Sequence, residues 1–230
     1  MTTLVLLPGM DGTGELFRPI IDELGSSFRT VVVSYPAAAT LDYTELEAIA
    51  QRQLPASPFV LLGESFSGPI AISLSAKHPP NLQALILSCS FALSPRPLAT
   101  RAAPLLSLPL PLPPSQALAT ALLGGFSTHL LRATVKQTLK QVAPRVLRQR
   151  LREVLRTDVS NKLSQVKVPV LYLQASFDWV VPKAAWAGVS RALPSAELKV
   201  VQGPHMLLQA NPGASAKAII EFLASASNAA

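Results

Sequence analysis

Three side chains suited to sharing one proton stand far apart in the chain: Ser65 in "LLGESFSGP", Asp178 in "VLYLQASFDWVVP" and His205 in "LKVVQGPHMLLQANP". A serine hydroxyl is a weak nucleophile near neutral pH. It becomes effective when an imidazole takes its proton and a carboxylate fixes the tautomer of that imidazole and steadies its charged form. The chemistry of such a trio is acyl transfer. Position singles these three out, because each directly follows a short apolar run, and in an open α/β sheet ligands bind beyond the carboxyl ends of the strands. The competing uses are structural: Ser65 as a loop serine, Asp178 as the cap of a helix opening near Pro182, and His205 as a surface histidine. The other histidines are less well placed, His78 in the turn-like "AKHPP" and His129 away from any strand end. Asp158, the next acid, precedes a strand instead of following one.

The elements that must position the trio are legible as a pattern. Apolar runs at Thr3 to Leu7, Thr30 to Ser34, Phe59 to Leu62, Ala84 to Ser88, Val170 to Gln174 and Leu198 to Val201 are continuous, as expected of strands covered on both faces. Helical spacing fills the intervals Glu15 to Leu24, Tyr43 to Leu54, Pro69 to Lys77, Pro182 to Leu193 and Ala214 to Leu223. The alternation predicts an open, mainly parallel α/β sheet with helices on both sides. It stops after the fourth strand and resumes at Val168. The gap holds a Pro-rich apolar stretch, Ser94 to Ser115, and two amphipathic stripes, Leu131, Val135, Leu139, Val142 and Leu147, Leu151, Val154, Leu155. Residues 91–165 are therefore expected to form a helical insertion over one end of a core made of residues 1–90 and 166–230.

The chain order Ser, Asp, His is that of the α/β-hydrolase fold, and the sequence resembles an α/β-hydrolase serine esterase of the esterase and lipase type over nearly its whole length. The resemblance implies that residues 91–165 are the variable cap. It also implies that "LVLLPGMDGTGELF" is the oxyanion loop, with Pro8 where the family usually has His. Backbone N–H groups of Met10 and Phe66 would then hold the tetrahedral oxyanion, each donor worth roughly 3 to 4 kcal/mol of barrier. Two strands that usually precede the oxyanion strand are missing, so a shortened sheet of about six strands is expected, with Thr30 to Ser34 at an edge. Ser67 stands where the second glycine of G-x-S-x-G belongs. The nucleophile turn holds Ser65 at positive φ and crowds the flanking positions, so small residues suffice there.

Composition bounds the remaining choices. With 49% hydrophobic and 14% charged residues, a chain of 230 residues is expected to fold as a globular protein. The most apolar segment, Ala102 to Pro114, is broken by five prolines, far from the roughly 18 apolar residues a membrane span requires. The N-terminal residues read as neither leader nor signal peptide, and a cytoplasmic location is expected. The single Cys89 excludes an internal disulfide and is expected to be a small buried group at a strand end. Neither a metal nor a cofactor is implied, since no G-x-G-x-x-G or Walker-type loop is present.

Charge is concentrated in the insertion, where eleven basic residues face two acidic ones, whereas the rest of the chain carries nine and eleven. Arg132, Lys136 and Lys140 form one basic stripe and Arg148, Arg152 and Arg156 another. Such stripes either keep an apolar cap soluble or dock an acidic partner. The second use is similar to pimeloyl-acyl-carrier-protein methyl ester esterases, which implies an acidic carrier protein. Nucleic acid is disfavoured, because Phe91 and Phe126 are the insertion's aromatics and base stacking needs more. The sequence thus leads to a carboxylic ester hydrolase acting through Ser65. An acyltransferase with the same trio and a non-catalytic protein binding through its basic cap are the alternatives.

Overall fold

The computed structural model describes residues 2–108 and 113–228. Six strands, β1 (Thr3–Leu7), β2 (Arg29–Val32), β3 (Phe59–Glu64), β4 (Leu82–Ser88), β5 (Val170–Phe177) and β6 (Glu197–Pro204), make one sheet in the order β2-β1-β3-β4-β5-β6. Every pairing is parallel, and β2 lies at the edge as expected.

Alternate residues of a strand face opposite sides of a sheet, and both sides of the central strands are covered, which is why β1 and most of β3 and β4 are continuously apolar, whereas the edge strands β2 and β6 are partly exposed and carry Arg29, Glu197 and Lys199. Val5, Leu7, Leu61, Leu85 and Leu87 point into a core shared with α2 (Tyr43–Gln51), α3 (Gly68–Ala76) and α8 (Ala184–Ala192). Leu4, Leu6, Val60, Leu62 and Ile86 point the other way, toward α1 (Arg18–Leu24), the single turn α9 (Leu207–Ala210) and α10 (Pro212–Asn228). Every residue of α3 is buried. The helix is accordingly apolar all round apart from its small serines. The α2 helix begins with a capping box, in which Asp42 accepts from the Glu45 N–H and Glu45 accepts from the Asp42 N–H.

Between β4 and β5 come a 3-10 helix (Pro97–Ser107), α4 (Ser115–Leu123), α5 (His129–Lys140), α6 (Pro144–Arg156) and the single turn α7 (Ser160–Leu163). Part of the Pro-rich apolar stretch, residues 109–112, lies outside the described residues. The two ends of this excursion meet in a short antiparallel bridge. Ser94 N–H donates to Thr157 O (2.9 Å) and Val159 N–H to Ala92 O (2.8 Å), so the chain leaves and returns at one place.

Several of the basic side chains in this segment serve as ties to α3 and to the loops that follow β1, β2 and β5. Arg145 donates to Ala38 O (2.9 Å), Lys162 to Ser73 Oγ (2.8 Å) and Arg96 to Trp179 O (2.5 Å), and Arg150 is buried against the loop that follows β1. Part of the positive charge is therefore engaged with backbone and hydroxyl acceptors, at the exposed Arg96 and Arg145 as well as at the buried Arg150. No helix among the described residues is long and apolar enough to cross a membrane. Cys89 sits buried one residue past β4.

Candidate active site

Ser65 lies between β3 and α3, in a single 3-10 turn (Ser65–Ser67), with φ 47°. That conformation is sterically costly for any residue with a Cβ, and close neighbours hold it. A Cβ on Gly63 would lie 2.8 Å from Ala71 Cβ and 2.9 Å from Ser67 O, so the expectation that any small residue suffices on both sides holds at Ser67 but not at position 63, where strand and helix approach only because glycine has no Cβ. A Cβ on Gly68 would lie 1.7 Å from Ser90 Oγ. That space lets Ser90 donate to Ser65 O (2.6 Å), pinning the strained residue by its carbonyl. Ser90 is in turn fixed by the Tyr172 hydroxyl, which donates to its carbonyl (2.5 Å).

The structure brings the three separated side chains into one line. His205 Nε2 is 2.8 Å from Ser65 Oγ, and His205 Nδ1 is 2.8 and 3.0 Å from the two oxygens of Asp178. With a carboxylate at Nδ1, that nitrogen donates, and Nε2 is left to accept the Ser65 proton. The side chains of His205 and Asp178 are 5% and 4% exposed, so competition from water is slight. Asp178 Oδ1 also accepts from the N–H groups of Val180 and Val181 (both 2.8 Å), which fixes the carboxylate on its turn. It does not cap α8, whose N-cap is Lys183. Asp158 instead bonds Ser160, and His78 and His129 are exposed and apart from this line.

Met10 and Phe66 line the same cavity as Ser65 and His205. Phe66 is the second residue of the 3-10 turn, so its N–H has no acceptor within the helix. Its carbonyl accepts from the Tyr43 hydroxyl (2.9 Å), and its ring stacks on Tyr43 at 4.9 Å between centroids. The two departures from the family pattern prove to be in contact. The Ser67 hydroxyl, in the glycine position, donates to the carbonyl of Pro8, in the histidine position. The buried Tyr35 hydroxyl lies 3.1 Å from Ser67 Oγ and completes the chain.

The cavity has a volume of about 260 Å³. Its far wall is apolar, with Leu118 and Leu122 from α4, Val135 and Leu139 from α5, and Leu147 and Leu151 from α6. One polar wall residue had no place in the sequence reading. Glu64, directly before Ser65, is buried, and its carboxyl is pushed up to about 7, mainly by desolvation. Gln209 Nε2 donates to it (2.9 Å) and opposes that rise, as do the Gly9 N–H and the charge of His205, whereas Asp11 adds to it. The available signal was a carboxylate continuing an otherwise apolar strand.

The basic stripes lie elsewhere. Arg132, Lys136 and Lys140 are exposed on α5, whose Val135 and Leu139 face the cavity. On α6, Arg156 is exposed, while Arg148 and Arg152 are half-buried. None of the six lines the cavity.

A family model described as "Serine aminopeptidase, S33" matches residues 26–209. The chain belongs to this α/β-hydrolase family. A pimeloyl-[acyl-carrier protein] methyl ester esterase of Vibrio atlanticus (strain LGP32) is 25% identical over 249 residues, covering 95% of this chain and 93% of that protein. Phytyl ester synthase 1, chloroplastic, of Arabidopsis thaliana is 34% identical over 86 residues, 33% of this chain and 12% of that protein. Among solved structures, a thermophilic esterase from Thermogutta terrifontis superposes with a TM-score of 0.82 at 19% identity, covering 98% of this chain and 90% of that one. The shared fold is that of α/β-hydrolases, and the family is one of hydrolases.

Proposed function

We propose that this α/β-hydrolase cleaves carboxylic esters through an acyl-enzyme on Ser65. The observation that carries the reading is the continuous hydrogen-bonded line from Ser65 Oγ through His205 to Asp178, ending at an apolar cavity. Ser65 Oγ attacks the ester carbonyl as His205 Nε2 takes its proton, and Asp178 stabilises the imidazolium. The N–H groups of Met10 and Phe66 hold the oxyanion. Collapse expels the alcohol with the proton from His205. Water, deprotonated by the same imidazole, then releases the carboxylic acid and regenerates Ser65.

Residues 91–165 act in this reading as a cap on a core of residues 1–90 and 166–230, supplying the acyl wall. A cavity of about 260 Å³ is near the lower end for small-molecule sites and suits an apolar acyl group of modest size. The exposed stripe Arg132, Lys136 and Lys140, with Arg148, Arg152 and Arg156, would receive an acidic carrier. The whole-length likeness to an esterase acting on an acyl-carrier-protein ester supports this. An acyltransferase, in which an alcohol replaces water, is favoured only by the partial likeness to a phytyl ester synthase.

A fluorophosphonate probe tests the central step. The wild-type protein should be labelled at Ser65 and lose esterase activity, and Ser65→Ala should be neither labelled nor active. Labelling that survives Ser65→Ala, or a wild-type protein that is not labelled, removes the serine mechanism. A product ratio shifted wholly to a new ester when an alcohol is added would turn the assignment to acyl transfer.

A further inference from the structure

Arg150 occupies a position on α6 that its neighbours mark as apolar, since Leu147, Leu151 and Val154 on either side line the cavity. It is 1% exposed. A guanidinium is removed from water at large cost unless its donors are met, and here three of its five N–H groups donate to backbone carbonyls. Nη1 donates to Met10 O (3.0 Å) and Asp11 O (2.7 Å), and Nη2 donates to Pro36 O (3.1 Å). The group also lies 5.9 Å from the centre of the Tyr35 ring. The loop leaves room for it, because a Cβ on Gly12 would lie 2.4 Å from Nη1.

These contacts bracket one peptide unit. The Met10 N–H belongs to the Gly9–Met10 peptide. The peptide before it presents Pro8 O, held by the Ser67 hydroxyl, and the peptide after it presents Met10 O, held by Arg150. A peptide unit reorients by turning about the bonds that join it to its neighbours, so holding both neighbours restricts the direction of the N–H between them. The Arg150 and Tyr35–Ser67 systems meet at the Tyr35 ring, so the two holds form one assembly.

We propose that Arg150 is a positioning residue for catalysis: from the helical segment between β4 and β5, it fixes the loop after β1 so that the Met10 N–H is aimed at the oxyanion before substrate arrives. The catalytic consequence rests on the serine esterase reading above; the clamp on the loop does not. Loss of an oxyanion donor costs roughly 100- to 1,000-fold in kcat, and misdirection of one costs less. A loosened loop should therefore lower kcat about 10- to 100-fold, with KM changed by no more than about threefold, because uniform substrate binding is untouched.

The test uses Arg150→Ala and Arg150→Lys. A lysine keeps the charge and most of the length but presents one nitrogen where the guanidinium spans three carbonyls, so it serves where the alanine variant does not fold. Three readouts are taken: amide hydrogen exchange of residues 9–12, kcat and KM on a small ester, and kcat with added millimolar guanidinium. Faster exchange confined to this loop, the stated fall in kcat, and at least a fivefold recovery of Arg150→Ala by guanidinium but not of the wild type are expected. Unchanged loop exchange in Arg150→Lys overturns the clamp whether or not the protein is an esterase. Faster exchange with kcat within threefold of wild type in a Ser65-labelled enzyme overturns the catalytic role. A wild-type protein that is not labelled at Ser65 fails the esterase reading, while the exchange measurement still decides the clamp.

Discussion

Glu64→Gln should abolish a pH-dependent weakness built into the wall of the cavity. The native carboxyl titrates at about 7 against an ordinary 4.5. Between those values the folded protein keeps a proton that the unfolded chain releases. The stability this group contributes is therefore full below about pH 4.5 and is lost as pH rises through about 7. At about 1.4 kcal/mol per tenfold change in proton affinity, the full difference is about 3 kcal/mol, of which about 2.5 kcal/mol falls between pH 5 and pH 8.

Glutamine resembles the protonated acid and should fit the site. Its amide can donate to Gln209 Oε1, a buried oxygen with no partner among the described residues, once the Gln209 amide turns over, while its own oxygen accepts from the Gly9 N–H. Urea unfolding followed by circular dichroism from pH 5 to pH 8 gives the stability of each protein. The quantity of interest is variant minus wild type, in which Asp11 and His205, present in both, largely cancel. It should climb by about 2.5 kcal/mol in favour of Glu64→Gln across that range. A difference that stays flat to within about 0.5 kcal/mol, against the slope expected from linkage, would show that Glu64 carries no such proton and that the desolvation argument fails.

Ser67→Ala strands the Pro8 carbonyl and the Tyr35 hydroxyl in a buried site, and should cost about 1 to 3 kcal/mol in chemical denaturation. Adding Tyr35→Phe should recover part of that loss, because the stranded phenol goes too; simple additivity of the two changes would argue against the shared network. Reversing Arg132, Lys136 and Lys140 together to Glu should slow turnover of an acyl-carrier-protein ester about tenfold at low salt, with the effect shrinking as salt is added, and leave a small ester untouched. Equal effects on both substrates would sink the carrier dock.

The six strands, their parallel direction, the edge position of β2 and the meeting of Ser65, Asp178 and His205 were legible in the chain because burial on both faces forces continuous apolar runs, and the runs mark the strand ends where ligands sit; the full strand order was not. The crowding that requires glycine was legible at Gly63 only as a spelling; the distances to Ala71 and Ser67 supply its reason. Arg150 was not legible as a site residue. Among eleven basic side chains in one segment it looked like solvated charge, and its place on the apolar stripe of α6 was the sole local hint.

What the sequence determined by itself is therefore the periodic part: which residues enter strands and helices, and which polar residues follow a strand. Tertiary structure alone decided the partners of polar groups from distant segments. Ser67 with Pro8, Glu64 with Gln209, and Arg150 with Met10 and Asp11 are separated by dozens of residues or more. Burial periodicity records that a position faces inward, since apolar packing is non-directional. A hydrogen bond depends on where one particular atom of another segment ends up, and no periodicity in the chain encodes that.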